Sequence, residues 1–156
     1  MKKGKLILAN FDARISDITI KSKNTRTKVI IKSKMYNESD EQRNVKILFS
    51  EVAAIDFRIN FFDNMIGAEA FGLYQIEDKQ FIDSLVKDIF ERRKELYLLE
   101  GNYNYDEDDP ADMLNVLDLG GRFEQEAESY NAYVQNVDAG VYIILAKKYE
   151  LITLEK

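Results

Sequence analysis

The spacing of apolar residues changes at Asp78, and this change limits the folds open to the chain. After it, apolar side chains recur every three or four positions, at Phe81, Ile82, Leu85, Val86, Ile89 and Phe90. Such spacing predicts one amphipathic helix over about 78–99, with Asp78 as its N-cap and an apolar stripe facing a core.

Segments on both sides of this helix have the composition of β-strands. They cover 5–11, 14–20, 27–35, 45–62 and 70–76, and a hairpin with its turn at 137–140 ends the series. The segment 45–62 is long enough for one bent strand or for two strands broken near 50–52. Gly72 fits a bulge within its strand.

The order of these elements predicts a fold class. Strands, one long helix and strands again indicate the α+β class, a mostly antiparallel sheet with the helix of about 78–99 packed on one face. The length of 156 residues is typical of one domain. We therefore expect a single domain over 1–156.

The chain contains no Cys and no His, which narrows the chemistry it can perform. Disulfides, thiolate nucleophiles, imidazole zinc sites and Ser-His-Asp triads are excluded. A carboxylate- or metal-dependent hydrolase stays an alternative, with Glu51, Asp56, Glu69 and Glu77 as conceivable acids. The composition favours a protein without catalysis, and it assigns no catalytic, cofactor-binding or metal-binding residue.

Charge is distributed unevenly along the chain. Residues 1–34 hold ten Lys or Arg against two Asp, a balance of +8, whereas the remainder carries −14 within a total of −6. The basic part has two interpretations: lysines that protect a sheet edge, or a nucleic-acid-binding module on the N-terminal sheet. The acidic total, and the lack of aromatic residues among the cations of 15–34, argue against nucleic acid.

The acidic stretch 100–112, "EGNYNYDEDDPAD", holds six carboxylates and no basic residue. An EF-hand loop needs Gly at its sixth position and Glu at its twelfth. Counted from Asp106, these positions hold Ala111 and Leu117, and counted from Asp108 the sixth is Met113. The spacing excludes an EF-hand, and a solvated loop or a protein interface remains.

An interface would explain the acids and the tyrosines of this stretch together. Tyrosine offers a large rigid ring with a polar tip, and carboxylates steer a basic partner toward it. The predicted partner is a basic protein. The predicted partner-binding residues are Tyr103, Tyr105, Asp106, Glu107, Asp108, Asp109 and Asp112.

The N-terminal residues bear on location. A basic pair precedes the apolar run 6–9, which is much shorter than the core of a signal peptide. No segment approaches about 18 uninterrupted apolar residues, so no membrane span is predicted. We expect a cytoplasmic protein, and the oligomeric state is left open.

The chain resembles the small acidic immunity-type proteins of bacterial toxin systems. The resemblance lies in its size, its acidity, its strand-helix-strand order, and the segments "VAAIDFRINFF" at 52–62 and "DAGVYIILAKKYELI" at 138–152. It implies a cytoplasmic, non-catalytic protein whose acidic face covers a basic toxin, such as a nuclease. It implies no role for individual residues.

Overall fold

A computed structural model of the chain describes residues 4–9, 13–24, 26–36, 42–60, 69–99, 103–116 and 127–154. The chain divides into two compact units: a sheet unit, Met1–Glu77 with Tyr130–Lys156, and a helical unit, Asp78–Ser129. The single domain over 1–156 stays a prediction.

The described part of the sheet unit consists of antiparallel strands. They are β1 (Lys5–Leu8), β2 (Ala13–Lys23), β3 (Arg26–Tyr36), β4 (Gln42–Ile59), β5 (Glu69–Ile76), β6 (Asn131–Val137) and β7 (Gly140–Leu154). The turn between β6 and β7 is formed by Asp138 and Ala139, which confirms the turn predicted at 137–140.

The sheet closes on itself through β5. The strand order is β1-β5-β2-β3-β4-β7-β6, and β5 also pairs with β6. Ala70 of β5 pairs with Ala13 of β2 and with Val137 of β6, so the two ends of the series meet. β1 pairs with β5 farther along the same edge that β2 uses.

The core of the sheet unit lies inside this closed sheet. On β3, Val29 and Ile31 are fully buried whereas Lys28 and Lys32 are exposed, the alternation typical of an antiparallel strand with one face in water. The inward side chains of the other strands complete the core, chiefly Ile15, Ile47, Phe49, Leu73, Tyr133, Tyr142 and Ile144. This arrangement removes a large apolar area from water, which is the main stabilising contribution to such a unit.

Irregular positions bend the strands as closure requires. β4 is continuous, and its pairing with β7 shifts between Val52 and Ala54, beside Glu51 with φ +52°. Such a bulge increases local twist and bends a strand. The alternative of one long bent strand is therefore confirmed. Gly72 lies within a second shift, between Ala70 and Leu73, as its predicted bulge requires.

The helical unit contains one long helix. α1 (Lys79–Leu98) begins after Asp78, whose side chain accepts a hydrogen bond from the Phe81 amide at 3.1 Å, the predicted N-cap. Ile82, Leu85 and Val86 are buried. α2 (Met113–Val116) and a 3-10 turn, Ala127–Ser129, are short. Among the described ranges, no helix combines the length and the apolar character needed to cross a membrane.

The predicted α+β class, with a helix packed on one face of the sheet, is wrong. Of the described residues, 61% are in strands and 22% are helical, so the fold is mostly β. The periodic stripe after Asp78 identified a real helix, α1. The class assignment treated this one helix as a layer of the fold, whereas α1 belongs to the separate helical unit.

Candidate functional site

The segment 103–116 of the helical unit contains every residue predicted to bind a partner. We call 103–112 the acidic loop. Its connection to α2 is made by Asp112, whose backbone carbonyl accepts from the Val116 amide at 2.9 Å. Its side chain accepts from the Leu114 amide at 3.0 Å. Asp112 therefore caps the start of α2.

The Asp112 carboxylate also organises the rest of the loop. Its Oδ1 accepts a hydrogen bond from the Tyr103 hydroxyl, and its Oδ2 accepts from the Asp106 amide at 3.1 Å. The hydrogen bond from Tyr103 is the largest cause that lowers the pKa of Asp112 below 3.8. One carboxylate thus joins both ends of the acidic loop.

Asn115 holds the middle of the acidic loop. Its Nδ2 lies 3.0 Å from the carbonyl oxygen of Asp106, 3.3 Å from that of Glu107 and 2.7 Å from that of Asp109. Its Oδ1 accepts from the Tyr105 hydroxyl at 2.7 Å. A single amide side chain therefore fixes three backbone carbonyls and one tyrosine.

Two aspartates of the loop bind backbone amides nearby. Asp106 Oδ1 accepts from the Asp108 amide at 3.0 Å, and Asp109 Oδ1 accepts from the Ala111 amide at 2.9 Å. Aspartate commonly stabilises turns in this way, by bonding to an amide two residues later. Part of the acidic composition therefore has a local structural explanation.

Contacts with α1 anchor the loop within the helical unit. Lys94 Nζ donates to Glu107 Oε1 at 3.1 Å and lies 4.8 Å from the centre of the Tyr105 ring. The hydrogen bond to Glu107 raises the pKa of Lys94. The Tyr97 and Tyr103 rings meet edge to face, with centroids 5.3 Å apart. The loop is thereby held at two points along α1.

The seven predicted partner-binding residues differ in the solvent exposure of their side chains. Asp106, Glu107, Asp108 and Asp109 are exposed. The other three, Asp112 and the two tyrosines, are partly buried, and all three side chains bond within the helical unit. Binding by these seven residues stays a prediction.

Sequence reasoning missed the two residues that hold the loop in place, Lys94 and Asn115. By sequence, Lys94 is one of several basic residues near the end of the predicted helix, where the helix dipole favours positive charge. A role for Asn115 could have been predicted from the sequence, because an asparagine side chain often forms hydrogen bonds with nearby backbone groups.

The tyrosines that follow the acidic region lie in the sheet unit. Tyr133 is 1% exposed and packs against Phe49 and Tyr149, with ring centroids 5.1 and 5.3 Å away. Tyr130 is partly buried, and Lys147 Nζ lies 5.2 Å from its ring centre. Tyr133 is therefore a core residue.

The four carboxylates considered for hydrolysis are distributed over β4 and both ends of β5. Asp56 is 9% exposed and pairs with Arg58 at 2.9 Å. Glu51 lies 4.0 Å from Lys148 Nζ. Glu69 begins β5, and Glu77 follows its end. In the part of the chain that the structure describes, no group of three or more Asp or Glu is arranged to hold a metal ion.

Comparisons with known proteins do not assign the chain to a class. No family model, curated protein or solved structure matches it. The class that the geometry itself defines is a mostly β protein with a closed antiparallel sheet unit. The resemblance to immunity-type proteins stays a prediction.

Acid titration is expected to disrupt the acidic loop as Asp112 becomes protonated. Its folded-state pKa lies below the ordinary value of 3.8, so its contribution to loop stability is complete above that pH. The contribution is lost as the pH falls through the folded pKa. Amide NMR signals of Asp106 and Leu114 should therefore shift below pH 3.8.

The Asp112→Asn variant is the control for this titration. Its carboxamide has no proton to gain, so the pH-dependent shift of the Leu114 amide should be absent. A shift of the same size in this variant would show that another carboxylate is responsible.

Proposed function

We propose that this chain is a non-enzymatic binding protein whose acidic loop contacts a basic surface of another protein. The observation that carries the proposal is the ordered presentation of Asp106, Glu107, Asp108 and Asp109, which are exposed on a loop held by Asn115. A loop already fixed in one conformation loses less entropy on binding.

The charge of the acidic loop supports a basic partner. Among the described residues, one cation forms an ion pair with its four consecutive exposed carboxylates: Lys94, which pairs with Glu107. Such a concentration of one sign attracts an oppositely charged surface and increases the association rate. The effect weakens with salt because exposed charges are screened.

Apolar side chains on the same unit suit the centre of an interface. Leu99 is 78% exposed at the end of α1, and Val116 is 63% exposed on α2. The Tyr97 hydroxyl lies 3.0 Å from Met113 Sδ, which brings the end of α1 and the start of α2 together. Interfaces commonly surround an apolar centre with charged residues.

Tyr103, Tyr105 and Asp112 have a positioning role in this proposal. The Tyr103 hydroxyl donates to Asp112, which also accepts from the Asp106 amide. The Tyr105 hydroxyl donates to Asn115 of α2, and together these bonds hold the four exposed carboxylates in place. We propose further that the protein acts in the cytoplasm as an immunity-type inhibitor, covering a basic toxin.

The experiment first captures a partner from extract of the source cell. It then compares the affinity of the unmodified chain for this partner with the affinities of two variants. D106N/E107Q/D108N/D109N removes the loop charges and is expected to weaken partner binding at least tenfold, mostly through the association rate. Asn115→Ala keeps every charge but frees the loop carbonyls, and it should also weaken binding. Interferometry over a salt series measures both effects.

A matched control removes the same charge elsewhere. D83N/E95Q/E128Q/E150Q neutralises four exposed acids outside the loop, and its binding should stay within about twofold of the unmodified chain. The proposal is wrong if this control weakens binding as much as the loop variant, or if the captured partner binds independently of salt.

A further inference from the structure

A row of cations lies on the outer face of β2, β3 and β4 in the sheet unit. On β3 these side chains alternate with the buried Val29 and Ile31, so they point away from the core. We call six of them the basic face: Lys21, Lys23, Arg26, Lys28, Lys32 and Lys46.

The strand register places these cations directly opposite one another. Lys21 faces Lys28, and Lys23 faces Arg26, across the β2–β3 pair. Lys32 faces Lys46 across the β3–β4 pair. Side chains in such positions have Cβ atoms about 5 Å apart, and like charges there repel.

Ion pairs do not offset the charge of the basic face among the described residues. None of its six cations forms an ion pair in the part of the chain that the structure covers. Asp17 lies opposite Lys32 in the register, and its Oδ2 accepts from Thr19 Oγ1 at 2.8 Å. The repulsion between Lys21 and Lys28 and between Lys23 and Arg26 is therefore not offset by an ion pair in this part of the chain, and a bound anion would reduce it.

Edge protection does not account for the whole face. Lys32 pairs with Asp17 on one side and Lys46 on the other, and Lys46 pairs with Lys32 and Ile152. Both residues therefore lie on strands that are paired on both sides at these positions. A lysine protects an edge only where backbone groups are unpaired.

The composition of the face indicates the kind of partner. Five of its six cations are lysine, and the segment 15–34, which holds five of the six, contains no aromatic residue. Single-stranded nucleic acid is bound mainly on aromatic platforms, which the segment 15–34 lacks. Lysine does bind phosphate as a point charge. We propose that the basic face binds the phosphodiester backbone of double-stranded nucleic acid, without reading its base sequence.

The acidic remainder of the chain determines the conditions under which this binding occurs. Residues 35–156 carry −14 and repel a polyanion at long range. Screening reduces that repulsion beyond about 10 Å at 0.1 M salt, whereas contacts on the face act at shorter range. Binding is therefore weak and independent of base sequence, and it falls steeply with salt.

Fluorescence anisotropy with a labelled DNA duplex of mixed sequence tests the proposal. The logarithm of the dissociation constant should rise linearly with the logarithm of the KCl concentration, since bound phosphates release counterions. The K21Q/K28Q variant should reduce this slope by about two, roughly one per lysine. K79Q/K87Q, which removes two exposed cations from α1, should leave the slope unchanged.

A charge reversal separates binding from folding. Lys28→Glu places a carboxylate opposite the Lys21 ammonium, so it should raise the thermal midpoint while it weakens duplex binding. The proposal is overturned if the duplex fails to bind at low salt or if K21Q/K28Q leaves the slope unchanged. Tighter binding of polyglutamate or of phosphatidylserine vesicles than of the duplex would also overturn it.

Discussion

The Gly140→Ala variant is expected to lose about 3 kcal/mol of unfolding free energy, from backbone strain and overpacking together. Gly140 has φ +142°, a conformation that L side chains rarely adopt. An added Cβ would also collide with the carbonyl oxygen of Arg58 and lie 3.2 Å from the Ile59 Cα. Chemical denaturation followed by circular dichroism measures the loss.

Gly72→Ala is the matched control for this variant. Gly72 has no positive φ, and its added Cβ would first meet Leu6 Cδ1 at 2.9 Å, the end of a flexible side chain. Leu6 is 49% exposed and has room to move. The expected loss is about 1 kcal/mol or less, and equal losses at both positions would refute the argument from φ and backbone contact.

The Gln135→Leu variant is expected to lose about 3 kcal/mol, because it leaves two buried polar groups without partners. Gln135 is 1% exposed, and its Nε2 donates to the carbonyl oxygen of Phe71 at 2.7 Å. Its Oε1 accepts from the hydroxyl of Tyr142, a side chain that is fully buried. Burial raises the pKa of Tyr142 far above its ordinary value, so the hydroxyl stays protonated.

A double-mutant cycle with Tyr142→Phe tests whether the hydrogen bond is the cause. The single Tyr142→Phe change should cost about 1 to 3 kcal/mol, since it leaves the Gln135 oxygen unpaired. The double variant should lose less than the sum of the two single losses, because both partners are then apolar. Additive losses would show that lost packing is the cause.

Gln75→Leu is the control for side-chain chemistry in this cycle. Gln75 lies on β5, and its amide makes an exposed hydrogen bond of 3.4 Å to Glu77. The same substitution should change stability by only about 0.5 kcal/mol. A loss comparable to that of Gln135→Leu would contradict the importance of burial.

Local patterns predicted the regular elements well where periodicity was strong. The strand composition of 27–35 identified β3, and the apolar spacing after Asp78 identified α1. Boundaries were less accurate. Proline is common at the first helical position, so the sequence predicts a short helix from Pro110. α2 begins at Met113 instead, because Asp112 caps it and the preceding residues form turns. The sequence also predicts a turn at 63–67 and a helix stop at Gly101, and both lie outside the described residues.

The composition of the sequence indicated where the candidate site lies, but it did not predict the hydrogen bonds that hold the acidic loop. Six acids in 100–112 indicated a charged surface, and the tyrosines indicated anchors. The hydrogen bonds of Asp112 and Asn115 show instead how the loop is held. These bonds depend on loop backbone conformation, which carboxylate composition alone does not specify.

By itself, the sequence determined the strand and helix periods, the division into a basic N-terminal part and an acidic remainder, and the absence of Cys and His chemistry. Only the tertiary structure decided that the sheet closes, that Lys32 and Lys46 face each other, and that Gln135 meets Tyr142. The physical reason is that period and charge are properties of neighbouring residues. Strand partners and register are set by packing between residues far apart in the chain.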